Sequence, residues 1–266
     1  MSHDPDTPYY LVGGVPISVT DMGGLVMTVR RWLSGEQRQG AFICYRAVHG
    51  VICAQDDERV FKAHRDALLV VADGKPLALL GRLRGFAGIR QVSGIEATEV
   101  LCRAGVEYGW KHYFFGGAPG VADALARALS EKIPGLCVVG TECPPFREQT
   151  EDEREQTLRR IRESGADIVW VGIGTPKQEL WMAANAPSLP GVIAMGVGAA
   201  FDVHTGRVPR APYVLRKIYL EWAYRLVREP RRLWQRYADN IPRFLWLVAR
   251  QEISARRGKG AFSFYE

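Results

Sequence analysis

The sequence predicts an α/β fold: a Rossmann-like parallel sheet with helices on both faces, followed by a helical, basic C-terminal appendage. Three observations predict it. Continuous apolar, β-branched runs alternate with segments of helical spacing, which is how a parallel sheet covered on both faces reads. Five of these runs end in Gly, Pro and polar residues. After residue 206 the apolar runs stop, and arginine and aromatic residues take over.

The elements follow in order. AFICYRAV (41–48) reads as a strand, and ALLVVADG (67–74) as a second that halts at Asp-Gly. KPLALLGRLRG (75–85) has helical spacing. KHYFFGG (111–117) is a strand ending in glycines. APGVADALARALSEKIPG (118–135) is a helix with Pro near its start and Pro-Gly at its end. LCVVGTECPPF (136–146) is a strand and loop. EDEREQTLRRIRESG (151–165) places acids early, bases late and glycine last, which suits the helix dipole. ADIVWVGIGTP (166–176) is a buried strand entering a turn, KQELWMAANA (177–186) a short helix, and GVIAMGVGAAFD (191–202) a further buried strand. Residues 1–8 read as a loose arm. The domain boundary falls near Val208, giving a catalytic domain over 1–207 and an appendage over 208–266.

The chain has 266 residues, 47% hydrophobic and 24% charged, so it is globular and long enough for a core without staples. Its net charge of +6 is uneven. Arg207 to Lys259 holds 14 Lys and Arg against 4 Asp and Glu, a balance of +10, which leaves −4 elsewhere. Such a split suggests an anionic partner for the basic end: a membrane surface, a nucleic acid or a phosphorylated substrate. The five cysteines are odd in number and form no CxxC, which argues for a reducing compartment rather than disulfides or zinc. The N-terminus lacks the basic and apolar regions of a signal peptide. No apolar stretch reaches about 18 residues, so no transmembrane helix is expected.

In an open parallel sheet, ligands bind outside the carboxyl ends of the strands. Gly116 and Gly117 open a strand-to-helix loop where backbone amides can approach a phosphate, or they only make a tight turn. Glu142, at the next strand end, stands where dinucleotide folds hold a ribose hydroxyl. Asp73 is the best single catalytic candidate. Among apolar walls its carboxylate would serve as a general base; the commoner use of Asp at such a turn is to cap the following helix. Gly174, Pro176, Gln178 and Glu179 form a turn and helix start that either caps itself or holds a sugar or uracil. The histidines have no metal-ligand spacing. The only Asp-x-Asp, Asp4-Pro5-Asp6, lies in the arm, so no required metal is expected.

ADGKP, FFGGAPG, GIGTPKQELW, GVGAAFD, GRVPRAP and EWAYRLVREPRR together resemble the WecG/TagA/CpsF family of bacterial glycosyltransferases, from about Gly13 to Arg243. The resemblance implies inverting, metal-independent and cofactor-free transfer from a UDP-sugar donor to a lipid-pyrophosphate-linked sugar. It places the protein peripherally on the inner face of the cytoplasmic membrane, with no nucleic-acid partner. By motif position Asp73 falls on the family's catalytic base, reversing the local preference for a cap, and Gln178 on a substrate-site glutamine. Arg225 and Arg232 fall on appendage arginines that meet the acceptor pyrophosphate; Arg236 lies one residue beyond another, which is Gln235 here. Two departures stand out. The family's Thr-x-Asn is Tyr45-Arg46-Ala47 here, and an arginine of the family is Gln91.

The stretch APYVLRKIYLEWAYRLVREPRRLWQRY (211–237) then has a reading. Leu215, Ile218, Tyr219, Trp222 and Leu226 form one helical stripe flanked by Arg216, Lys217, Arg225 and Arg228, as in a helix lying in a membrane interface. By pattern alone, packing that stripe on the sheet domain is the more frequent case. Two rival functions use the same features. A nicotinamide-dependent oxidoreductase would use the parallel sheet and Gly196-Val197-Gly198, and a nucleic-acid-binding protein the basic tail. Neither accounts for the strand-end motifs together.

Overall fold

The computed structural model describes residues 3–35, 39–212, 214–215 and 221–256. A short antiparallel hairpin, β1 (Tyr9–Val12) and β2 (Val15–Ser18), turns at Gly13-Gly14, both at positive φ. Helix α1 (Met22–Leu33) follows, its first turn capped by Asp21, whose carboxylate accepts the Gly24 amide. Next come β3 (Ala41–Arg46), α2 (Val48–Asp56), α3 (Glu58–Asp66), β4 (Leu69–Ala72), α4 (Lys75–Leu83) and α5 (Gly94–Tyr108). The second half runs β5 (Lys111–Gly116), α6 (Val121–Lys132), β6 (Cys137–Glu142), α7 (Glu151–Ser164), β7 (Ile168–Gly172), α8 (Lys177–Asn185), β8 (Ile193–Gly196) and α9 (Ala200–His204). Helices α10 (Glu221–Arg228) and α11 (Pro230–Arg256) complete the described chain.

Strands β3 to β8 form one six-stranded sheet in the order β4-β3-β8-β7-β5-β6, every pairing parallel. Alternate residues of each central strand feed two separate cores. Phe42, Val70, Val169 and Ala194 pack with α2, α4, α7 and α8 on one face. Ile43, Val71, Trp170 and Met195 pack with α1, α5, α6 and α9 on the other. The expected sheet covered on both faces is therefore present.

Two expectations need correction. The strand drawn to residue 202 ends at Gly196; the small and apolar residues after it form α9. Residues 3–8 are tied down rather than loose. Asp4 is buried, its carboxylate accepting from Arg31 at 2.6 and 2.8 Å and from Thr7, while its amide donates to the Leu68 carbonyl.

The C-terminal helix α11 packs on the body. Phe244 is buried in the same core as β1 and α2, with Leu247 and Val248 packed against it. Gln251 bonds the hairpin at Gly13 N and Leu11 O, Arg84 bonds both Leu11 O and Glu252, and Arg243 pairs with Asp56. Burying Phe244 alone contributes roughly 1.5–3 kcal/mol. Among the described residues, no helix is long and apolar enough to cross a membrane.

Candidate active site

Strands β3 and β8 are neighbours, yet α2 leaves β3 toward one face and α9 leaves β8 toward the other. Where adjacent connections diverge, a crevice opens at the carboxyl ends, and ligands bind there. The strongest cluster of sequence-predicted residues lies at this point.

Asp73 follows β4. One carboxylate oxygen accepts the amide of Gly94, the first residue of α5, at 3.1 Å. Asp73 thus caps α5 through its side chain. Its surroundings are not only apolar walls. Gln91 donates to the Asp73 carbonyl at 2.7 Å, and Gly74 donates to the carbonyl of Arg46 at 3.0 Å, which locks the ends of β3 and β4 together. Gln91, one of the two departures, therefore sits directly beside Asp73. Tyr45, the other, does not open into the crevice. Its ring is buried and its hydroxyl meets Met195 Sδ at 3.7 Å. Burial, and then the charge of Asp73, push its phenol well above the ordinary tyrosine range.

Arg46 is the residue that motif reading passed over. It is 1% exposed, yet it lies at the end of an apolar strand and reaches toward α8. Its guanidinium pairs with Glu179, itself fully buried, and donates to Thr175 Oγ1 at 3.3 Å. Burial opposes its charge, but Glu179, with further help from Asp73, outweighs that and holds it protonated. Gln178 donates to the Gly196 carbonyl at 2.9 Å, pinning α8 to the end of β8. Three atoms here are buried without a hydrogen-bond partner: Arg46 Nε, Glu179 Oε2 and Gln178 Oε1. Each such group costs about 1–3 kcal/mol, more when charged, so this buried corner beside Asp73 carries unmet hydrogen-bonding capacity. Gly174, at positive φ, and Pro176, after a cis peptide, form the turn that feeds α8 into this position.

The outer strands carry other expectations less well. A Cβ on Gly116 would stand 2.6 Å from the Gly172 backbone, and Gly117 donates to the Gly172 carbonyl. These glycines answer to close strand packing. Asp123, bonded by Thr141, also places an acid in the first turn of α6, which opposes a phosphate there. Glu142, expected at a ribose, is engaged within the chain. Its carboxylate accepts from Tyr113 at 3.0 Å, Thr157 at 2.6 Å and Arg160 at 2.8 and 3.0 Å. It fastens α7 to the sheet edge.

The appendage meets the site at α2. Asn240 of α11 bonds His49 at 3.3 Å, and Cys53 lies 3.6 Å from the same ring. Burial, then the positive charges of Arg236 and Arg46, hold the His49 pKa down at about 4. Arg236 therefore projects its charge onto the same corner as Arg46. Trp222 of α10 is half-exposed and stacks edge-on against Tyr237 of α11, 6.1 Å between centroids. The side chains of Arg225 and Arg232, and residues 216–220 of the expected stripe, lie outside the described residues. Among the described residues, no three His, Cys, Asp or Glu side chains converge as a metal site.

A family model described as "Glycosyl transferase WecG/TagA/CpsF family" matches residues 10–258.

Proposed function

This chain belongs to the WecG/TagA/CpsF family of glycosyl transferases, and on that premise we propose an inverting, metal-independent transfer from a UDP-sugar to a polyprenyl-pyrophosphate-linked sugar. The family places the chain among glycosyltransferases of cell-surface polysaccharide synthesis, using a sugar-nucleotide donor and a lipid-linked acceptor. The finer reading rests above all on one observation. Asp73 stands at the carboxyl end of β4, at the corner of the sheet where the buried acceptors Glu179 Oε2 and Gln178 Oε1 lack partners.

In this reading the donor lies across the strand ends with its sugar toward Gln178 and Glu179. Asp73 takes the proton from the attacking acceptor hydroxyl. The new glycosidic bond forms on the face of the sugar opposite to departing UDP, so the anomeric centre inverts. The Gly94 amide orients the Asp73 carboxylate for this work. Arg225, Arg232 and Arg236 grip the acceptor pyrophosphate, since a guanidinium fork matches phosphate oxygens in pairs. Trp222 and its helix lie at the inner face of the cytoplasmic membrane, and the docked appendage keeps water from the donor. The lack of a strand-end Asp-x-Asp pair in the sequence supports the metal-independent reading.

The test is UDP release. Purified protein is offered a panel of UDP-sugars with lipid-pyrophosphate acceptors carrying glucose, N-acetylglucosamine or a disaccharide, with and without EDTA. The expected result is acceptor-dependent release from one donor, insensitive to EDTA and lost in Asp73→Asn. Full activity in Asp73→Asn would remove Asp73 from the mechanism, and loss of activity in EDTA would remove metal independence.

A further inference from the structure

The loop joining β6 to α7 is held in place along its length. Cys143 Sγ donates to the Gly117 carbonyl at 3.1 Å. Arg147 grips both oxygens of Glu153 at 2.7 Å each, and Glu153 with Thr150 forms a reciprocal capping box at the start of α7. Gln149 accepts from Trp181 Nε1 at 3.3 Å and donates to Thr157 at 2.9 Å. A loop tied so firmly has every means to tuck an apolar side chain away. Instead Phe146, near its middle, is 98% exposed. Lys177, the first residue of α8, holds its ammonium 5.1 Å from the centroid of that ring.

The place of this pair matters. Phe146 follows the carboxyl end of β6 and Lys177 that of β7, on the rim of the end where ligands of parallel sheets bind. From β7 to β4, where Asp73 stands, the order is β7-β8-β3-β4. Phe146 follows the edge strand β6, but the Lys177 contact brings its ring toward the end of β7; three strand spacings from there amount to roughly 14 Å, the span that base, diphosphate and sugar together must bridge. The unpartnered acceptors of Gln178 and Glu179 fall between the two ends.

We propose that Phe146 and Lys177 form the nucleobase end of the donor site: the pyrimidine ring stacks on the open face of Phe146, and the Lys177 ammonium meets the diphosphate. This inference rests on the reading of the protein as a sugar-nucleotide transferase. A planar base is the ligand that an isolated, rigidly presented aromatic ring fits, because stacking needs one flat face and no enclosing pocket. Lysine suits the other task, being a compact point charge on a long stem, able to rest against the ring and reach the phosphates. The arrangement also fixes direction. With the base anchored near the end of β7, the sugar extends past β8 and β3 toward Asp73.

The experiment measures binding of UDP, uridine and inorganic pyrophosphate to full-length protein by calorimetry, in wild type, Phe146→Ala, Phe146→Trp and Lys177→Gln. Phe146 and Lys177 are exposed, so these variants should fold. Phe146→Ala should weaken UDP and uridine binding about tenfold and leave pyrophosphate binding unchanged. Phe146→Trp should bind as wild type does. Lys177→Gln should weaken UDP and pyrophosphate but not uridine. In turnover, Phe146→Ala should raise the donor KM while kcat and the acceptor KM stay near wild type. Wild-type protein that binds UDP while Phe146→Ala matches it overturns this subsite alone. Wild-type protein that binds no uridine nucleotide overturns the donor reading and the subsite together. Lost binding to anionic phosphatidylglycerol vesicles in Phe146→Ala, with UDP affinity intact, would assign the ring to the membrane and overturn the proposal.

Discussion

Replacing Arg46 with methionine removes the guanidinium but keeps most of its length, and leaves the Glu179 carboxylate buried without its cation. Both side chains are sealed from solvent, at 1% and 0% exposure. Removing one member of such a pair costs about 3–5 kcal/mol, because the remaining charge cannot recover its hydration. For a chain of this size each kcal/mol lowers Tm by about 2–4 °C, so Arg46→Met should melt on the order of 10 °C below wild type. The double variant Arg46→Met/Glu179→Leu removes both charges at similar volume and should recover most of that loss. Scanning calorimetry of the three proteins, read beside the UDP-release assay, separates stability from function: the double variant should regain its melting temperature and not its activity. A double variant as unstable as the single one would refute the reasoning, since the cost would then lie in shape and not in unpaired charge. So would a single variant that melts with wild type, which would mean that water reaches the pair.

Other outcomes follow from the same geometry. Asp73→Asn should abolish transfer while changing Tm by no more than about 2 °C, because the amide oxygen of Asn can still cap α5; calorimetry of the inactive variant checks this. Glu142→Gln should cost about 1–2 kcal/mol in urea denaturation, through weakened bonds to Arg160 and Thr157, and leave UDP affinity unchanged; a selective loss of UDP binding would restore Glu142 to the nucleotide. His3, His49 and His112 have pKa values held near 4, and His64 near 3, by burial first in each case. Each binds fewer protons folded than unfolded between its folded value and the ordinary 6.5. Stability should therefore be full above about pH 6.5 and fall steadily toward pH 4; equal urea midpoints at pH 7.5 and 5.5 would contradict this. Trp222→Ala should weaken sedimentation with phosphatidylglycerol vesicles severalfold, and unchanged sedimentation would count against an interfacial role.

The sheet was legible because its information is local. Each of its six strands is an apolar run bounded by turn residues, so β3 to β8 stand close to where the pattern puts them. What escaped depends on partners far away in sequence. Helix α5 has no cap of its own at Ser93; its first amide is taken by Asp73, 21 residues earlier. Many of its buried residues are small, Gly94, Ala97 and Gly105 among them, which weakens its apolar stripe. The stretch after Gly196 is ambiguous for another reason: a short run of alanine and phenylalanine satisfies strand and helix alike. At the site, Asp73 and Gln178 were readable from motifs, but Arg46 was not. Its partner Glu179 lies 133 positions away, and only the oddity of an arginine at the end of an apolar strand signalled it. Glu142 shows how distant partners change a local reading. Its position was right for a ribose, but the helix after it supplied Arg160 and Thr157, and those bonds use up the carboxylate.

The basic aromatic tail can be understood by asking which face of α11 does what. Leu233, Asn240 and Phe244 are buried, and Leu247 and Val248 pack on the core, one helical face turned to the body. Trp234, Ile241, Leu245, Trp246 and Ile253 are exposed, a second apolar set that the body does not cover. Docking alone would account for the first face and would leave the second polar. A purely interfacial helix would need no bonds from Gln251 to the hairpin or from Arg243 to Asp56. Carrying both, the helix fixes its outer face relative to the crevice through α2, where Asn240 meets His49 and the charge of Arg236 reaches the corner that Arg46 occupies. On the proposed function, an acceptor held in a bilayer while its sugar reaches Asp73 would use that kind of rigid relation. A flexible tether would hold the protein at the membrane but would not hold the crevice at a set height above it. On that proposal α11 forms part of the site's wall rather than an anchor added to a finished enzyme.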